Sequence, residues 1–218
     1  MKIAIIGLGF VGLSLTSVLA SKGYNIVGID IDREKCDKIS NGISPFFEPK
    51  LEKVLKNGLK KKLKISNKYS LINNCDFIFV TVGTPQNVNG SINLSIIKKA
   101  ISTIGENLQK SKKKPIIFIK STIIPGTIKK VILPILEKKS NKKEGKDFGL
   151  ISNPEFLQES SAIIDTKFPH VVVLGGNQTE FMKKAKKLFT KLHPNVPIIN
   201  TNHQTAEMIK YANNSFLA

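Results

Sequence analysis

The sequence predicts an α/β protein with a doubly wound, mainly parallel sheet. Three observations carry that reading. Short apolar runs alternate with amphipathic stretches over nearly all 218 residues, a glycine-rich turn follows the first run, and further turn sequences follow several later runs. Strands that are apolar along their length need cover on both faces, and helices on either side of a parallel sheet supply it.

In chain order, the expected strands are Ile3–Ile6, Asn25–Asp30, Leu63–Ser66, Asp76–Val82, Ile116–Lys120, Gly149–Ser152, Val171–Leu174 and Ile198–Asn200. Helical periodicity is clearest over Leu94–Gln109 and Glu180–Leu192. Between the second and third strands, SPFFEPKLEKVLK at Ser44–Lys56 combines two prolines and a Phe-Phe pair with a Lys-rich helix, and so reads as an insertion that shapes a pocket mouth. From about Thr205, Ala206, Ile209, Tyr211, Ala212 and Phe216 recur at helical spacings, with no stop signal before Ala218. The expected organisation is a single nucleotide-binding domain over 1–202, followed by the start of a long helix over 203–218.

Composition narrows the class. The formal net charge is +18, but the lysine runs at Lys60–Lys62, Lys112–Lys114 and Lys142–Lys146 fall where loops or helix ends are expected. No aromatic residues interleave with them, so they read as solvated faces rather than a nucleic-acid surface. No apolar run reaches the roughly 18 residues that a membrane span needs, and a cytoplasmic protein is expected. Two cysteines, Cys36 and Cys75, are too few for a disulfide framework and match no metal spacing, so both read as small buried residues and no metal is expected.

Gly7, Gly9 and Gly12 form G-x-G-x-x-G after a strand and at the opening of a helix, which is the context that gives this motif meaning. The first glycine permits a tight turn, the second lets the backbone approach a pyrophosphate, and the third lets helix and strand pack closely. Amides such as those of Phe10 and Val11 then face the anion, aided by the helix dipole. Asp30 ends the second strand, 18 residues beyond Gly12, where a carboxylate accepts hydrogen bonds from the adenosine ribose. Its charge opposes a 2′-phosphate and favours NAD over NADP, while Arg33 and Lys35 soften that preference. The same turn also accommodates a flavin nucleotide.

Three more stretches fall at the carboxyl ends of expected strands: TVGTP at Thr81–Pro85, KSTIIPGT at Lys120–Thr127 and SNPEFLQESSA at Ser152–Ala162. In this order after GLGFVG and GID, and with FEPKL and AEMIKYANN, they make the chain resemble the UDP-glucose/GDP-mannose dehydrogenase family from Met1 to Ala218. The resemblance implies a Rossmann-type fold and a two-step, NAD-dependent oxidation of the C6 alcohol of a nucleotide sugar to a carboxylate, through an aldehyde and a cysteine thioester. It implies a UDP-sugar substrate, UDP-glucose foremost, with GDP-mannose or another UDP-sugar as the alternative, and a homodimer.

Carried onto these positions, the family pattern makes Val11, Asp30, Lys35, Thr84, Thr122 and Glu159 cofactor contacts, and Glu155, Phe156, Leu157, Gln158 and Glu159 a substrate-facing segment. Glu155 is implied as the acid/base group, acting through a water also held by Thr122. Lys210 and Asn214, four apart on the last helix, share a face on which they can hold substrate and a developing oxyanion together. The family often has Arg where this chain has Gln158, and Arg before the VVVLGG strand where it has His170. The family's nucleophilic cysteine lies downstream of the helix carrying Lys210, and neither Cys36 nor Cys75 matches its motif. The chain alone is therefore expected to bind cofactor without turning over. A free-standing NAD-binding module and a dehydrogenase of the 3-hydroxyacid type are the other readings, and NPEFLQES argues against the second.

Overall fold

The computed structural model describes residues 1–217. Its strands are β1 (Lys2–Ile6), β2 (Asn25–Ile29), β3 (Leu63–Ser66), β4 (Phe77–Val80), β5 (Ile116–Ile119), β6 (Gly149–Ser152), β7 (Val172–Gly175) and β8 (Ile198–Thr201). The helices are α1 (Phe10–Ser21), α2 (Arg33–Ser40), α3 (Leu51–Leu59), α4 (Ser95–Gln109), α5 (Leu133–Ser140), α6 (Ala162–Lys167), α7 (Glu180–Leu192) and α8 (His203–Leu217). All eight expected strands are present, with ends shifted by at most two residues.

The strands form one sheet in the order β3-β2-β1-β4-β5-β6-β7-β8. Crossing from β1 outward in both directions places the break in strand order between β1 and β4, where ligands bind in sheets of this kind. Every pairing is parallel except that of β6 with β7, which meet antiparallel at Ser152 and Gly175. Asn153 extends this contact by donating its amide to the Val173 carbonyl, at 2.9 Å. The reversal keeps the loop after β6, and α6 with it, at the carboxyl edge of the sheet.

The core fills both faces of the sheet. On one face Phe79 and Phe118 stack at 4.6 Å and meet the edge of Phe189 from α7, among the apolar residues of α1 and α3. On the other, Ile97, Ile101 and Ile104 of α4 pack on Ile6, Ile78 and Ile117. Burying each such side chain contributes on the order of 1.5–3 kcal/mol. Cys36 and Cys75 are buried in this framework. Among the described residues there is no cluster of potential metal ligands, and no helix is long and apolar enough to cross a membrane.

Helix α8 is seated on β7 by a missing side chain: a Cβ on Gly175 would collide with that of Ala206 and come within 2.6 Å of the Asn202 carbonyl. Ala206 is consequently fully buried within the chain, and it does not belong to the apolar surface that helical spacing alone suggests for this segment.

Candidate cofactor and catalytic site

The three glycines of the first loop do three different jobs. Gly7 adopts φ +92, in the left-handed region, and lies against the Val82 backbone. A side chain on Gly12 would run into the Gly7 carbonyl and reach 2.5 Å from Thr81 Oγ1, so this position lets α1 close onto the turn. Beside Gly9 there is no atom within 4 Å, which leaves room for a pyrophosphate to approach the backbone. Gly9 is also the N-cap of α1 and offers no side-chain cap, which leaves the first amides of the helix to a bound anion. Thr81 Oγ1, 2.8 Å from the Gly7 carbonyl and 3.0 Å from that of Ile6, locks the turn.

A cleft of about 490 Å³ runs from this loop past Asp30, Lys35 and Tyr69 to α4. Asp30 is 7% exposed. Its Oδ2 accepts from the Leu8 amide at 2.7 Å and from Lys35 Nζ at 3.2 Å, and its Oδ1 accepts from the Asp32 amide at 3.1 Å. Three of about four acceptor positions on the carboxylate are thus taken. One remains for a ribose hydroxyl, and a second ribose bond requires Lys35 to yield. Burial, reinforced by the charge of Asp30, pushes the Tyr69 phenol up to about 12, so it faces the cleft as a neutral donor.

On the other side of Gly9 a recess of about 280 Å³ is lined by Val11, Thr84, Lys120, Thr122 and Glu155. The loops after β4 and β5 are tied there: Thr84 Oγ1 donates to the Thr122 carbonyl at 2.7 Å, and Ser121 Oγ to that of Val82 at 2.6 Å. Glu155 Oε2 accepts from the Leu157 amide at 2.6 Å, and its Oε1 pairs with Lys210 Nζ at 2.8 Å. Lys210 is 6% exposed and stands 5.6 Å from the Phe156 ring. Lys120 bonds the side-chain oxygen of Asn153 at 3.1 Å and its carbonyl at 3.3 Å. Burial pushes its ammonium down to about 8, with Glu155 opposing and Lys210 adding to the shift.

The structure therefore brings Val11, Thr84, Thr122 and Glu155 to one recess and joins Lys210 to it. It does not bring in Asn214, Gln158 or Glu159, whose side chains are exposed. Asn214 shares a helix face with Lys210, but burial falls off along α8 beyond Lys210. The insertion after β2 packs beside the site without lining the cleft or the recess: Phe46 packs on Phe10 with ring centres 5.8 Å apart, and Glu48 Oε2 accepts from the Ser160 amide at 3.1 Å. Two contributors, Lys120 and Thr81, lie at the first positions of stretches marked by their place after strands. Nothing in their own residue type separates them from other lysines and threonines.

A doubly wound sheet with this loop, a strand-ending carboxylate and a buried Glu–Lys ion pair beside the recess beyond Gly9 define a dinucleotide-binding domain of the dehydrogenase class. A profile of the UDP-glucose/GDP-mannose dehydrogenase family, NAD binding domain, matches residues 1–193. Similarity extends to a GDP-mannose 6-dehydrogenase from Pseudomonas syringae, 40% identical over 98% of this chain and 49% of the relative. A UDP-glucose 6-dehydrogenase from Haloferax volcanii is 34% identical over 100% of the chain and 51% of the relative. The crystal structure of a GDP-mannose dehydrogenase from Pseudomonas aeruginosa, a ternary complex, superposes with a TM-score of 0.93 at 35% identity, covering 99% of this chain and 50% of that one. The chain belongs to the UDP-glucose/GDP-mannose dehydrogenase family, and its cofactor is NAD. It spans about half the length of the curated relatives it matches.

Proposed function

We propose that this chain is the cofactor-binding part of a nucleotide-sugar 6-dehydrogenase that oxidises UDP-glucose to UDP-glucuronate with two NAD per sugar. The observation that carries the reading is the Glu155–Lys210 pair, nine-tenths buried on the lysine side, at the end of the cleft opposite Asp30. GDP-mannose is the second reading, favoured by relatives of that name at 40% identity against 34% for the UDP-glucose enzyme.

Bound NAD supplies a hydride acceptor. The chain's own residues then have a proton and a charge to manage. Glu155 takes the proton of the alcohol through a water that Thr122 also holds, and both residues line the same recess. Lys210 leaves Glu155 for the substrate oxygen as negative charge develops there, and Asn214, exposed on the same helix face in this structure, joins it once substrate is bound. We assign Phe156, Leu157, Gln158 and Glu159 to the sugar nucleotide and Asp30, Lys35, Thr84 and Glu159 to the cofactor, with Gln158 and Glu159, exposed here, drawn in only when ligands bind. The second oxidation calls for a thiol at the recess. Cys36 and Cys75 are buried on α2 and before β4, so that thiol is not one of theirs. We assign residues 1–202 to the cofactor domain and α8 to a helix that pairs with a second copy in a cytoplasmic homodimer; Ala218 lies outside the described residues.

The test is turnover of the whole protein with NAD and purified UDP-glucose or GDP-mannose. Two NADH per sugar with one of them supports the reading and chooses the substrate. No NADH with either, from protein that binds NAD, overturns it.

A further inference from the structure

Lys120 is the one ionisable group in the recess to which the family resemblance assigns no role. Its stem leaves the end of β5, and its ammonium grips both oxygens of Asn153, two residues before Glu155. With two donors committed there, a third N–H is left over, and Lys120 lines the recess together with Thr122 and Glu155. The charged or titratable groups around it are Glu155 from the loop after β6, Lys210 from α8 and His193 at the end of α7, and Asp165 of α6 and His170 before β7 line the same pocket. Burial holds His193 down to about 4, helped by Lys22, so its ring is neutral near pH 7.

A dinucleotide whose adenosine lies by Asp30 and whose pyrophosphate crosses Gly9 puts its nicotinamide in this recess. The oxidised ring carries one positive charge and the reduced ring none. We propose that Lys120 is a positioning residue whose protonation follows the redox state of the bound cofactor: NAD+ drives a proton off its ammonium, and loss of the ring charge on reduction lets the amine take one back. Lys120, already pushed down to about 8, is poised for this exchange, because a second cation close by disfavours its charged form further. In the alcohol oxidation, which rests on the proposed function, every atom and charge is accounted for. The C–H hydride goes to NAD+, the O–H proton passes by Glu155 to the Lys120 amine, and the products are aldehyde, NADH and a Lys120 ammonium.

Binding of NAD+ and NADH to this chain, measured by calorimetry in buffers of different ionisation enthalpy, tests the proposal without any sugar. At about pH 8, NAD+ should release roughly half a proton more than NADH, and NAD+ affinity alone should rise about five- to tenfold from about pH 7 to about pH 9. The excess should vanish in Lys120→Met, and also in Lys120→Arg, which keeps a cation on Asn153 but cannot titrate. Equal proton release by the two cofactors, an excess that survives both substitutions, or no binding of NAD+ would overturn it. A whole protein that oxidises no nucleotide sugar would sink the proposed function and leave these results standing.

Discussion

Glu207, on the second turn of α8, accepts hydrogen bonds from the amides of Gly126 and Ile128, the latter at 2.8 Å. The carboxylate is 2% exposed and lies three residues before Lys210, so one buried group fixes the loop that carries Thr122 against the helix that carries Lys210. Glu207→Ala should cost about 3 kcal/mol or more, since two buried amides lose a shared acceptor. Burial holds Glu207 above the ordinary carboxylate value of 4.5, with the two amides opposing. The folded chain therefore binds more protons here than the unfolded chain as pH rises from 4.5 toward the raised value, and the contribution of Glu207 to stability declines through that window. Urea unfolding of both proteins at several pH values checks this. A wild-type advantage that grows with rising pH would contradict it.

Asp30 should set the cofactor preference. Its carboxylate keeps one acceptor position free for an adenosine ribose, and a 2′-phosphate placed there would face a nearly buried negative charge. NAD should bind at least about tenfold more tightly than NADP, and Asp30→Ala should weaken NAD by on the order of 1–3 kcal/mol. The same substitution removes the partner of the Leu8 amide, so the melting temperature should fall too. Calorimetry with both cofactors decides, and equal affinities would count against this role.

Gly9 and Gly12 should respond in opposite ways to one added methyl group. Gly9 has φ −77 and nothing within 4 Å, so Gly9→Ala should fold with nearly unchanged stability while losing about tenfold or more in NAD affinity. Gly12→Ala forces its Cβ into the Gly7 carbonyl and should lower stability by roughly 1–3 kcal/mol before any cofactor is added. Thermal melts with and without NAD separate the two effects.

These cases also mark what could be read ahead of the structure. The strands were legible because uninterrupted apolar runs have few other solutions, and the glycine loop because each glycine answers a steric demand. The reversal of β7 was not, since Val172–Gly175 reads the same in either direction. Lys120 was not either: among 34 Lys and Arg residues only the fold shows which one is held against Asn153. Helical spacing placed Lys210 and Asn214 on one face, but it carried no information about where α8 leaves the sheet and burial ends.

Self-association should depend on α8. Ala206 is covered by Gly175, but Met208 is 53% exposed and Phe216 91%. Exposed apolar groups on one helix seek cover at high concentration. Light scattering should show dimers or larger species that Met208→Lys with Phe216→Lys disperses, and a strictly monomeric wild-type chain would end the idea.

The Glu155–Lys210 pair yields the prediction about chemistry. The ammonium of Lys210 is paired with the Glu155 carboxylate, and in the proposed mechanism it shifts to the substrate oxygen only as that oxygen becomes negative. An interaction of this kind is stronger in the transition state than in the ground state. In the whole protein, Lys210→Ala should therefore cut kcat by about a hundredfold or more while changing NAD affinity by less than about threefold. The 218 residues alone should bind NAD yet give no detectable NADH with UDP-glucose, because neither Cys36 nor Cys75 can serve as the thiol the mechanism needs at this recess. Stopped-flow absorbance of NADH measures both quantities. Equal losses in kcat and NAD binding would make Lys210 a cofactor contact, and ordinary turnover by this chain alone would overturn the whole mechanism.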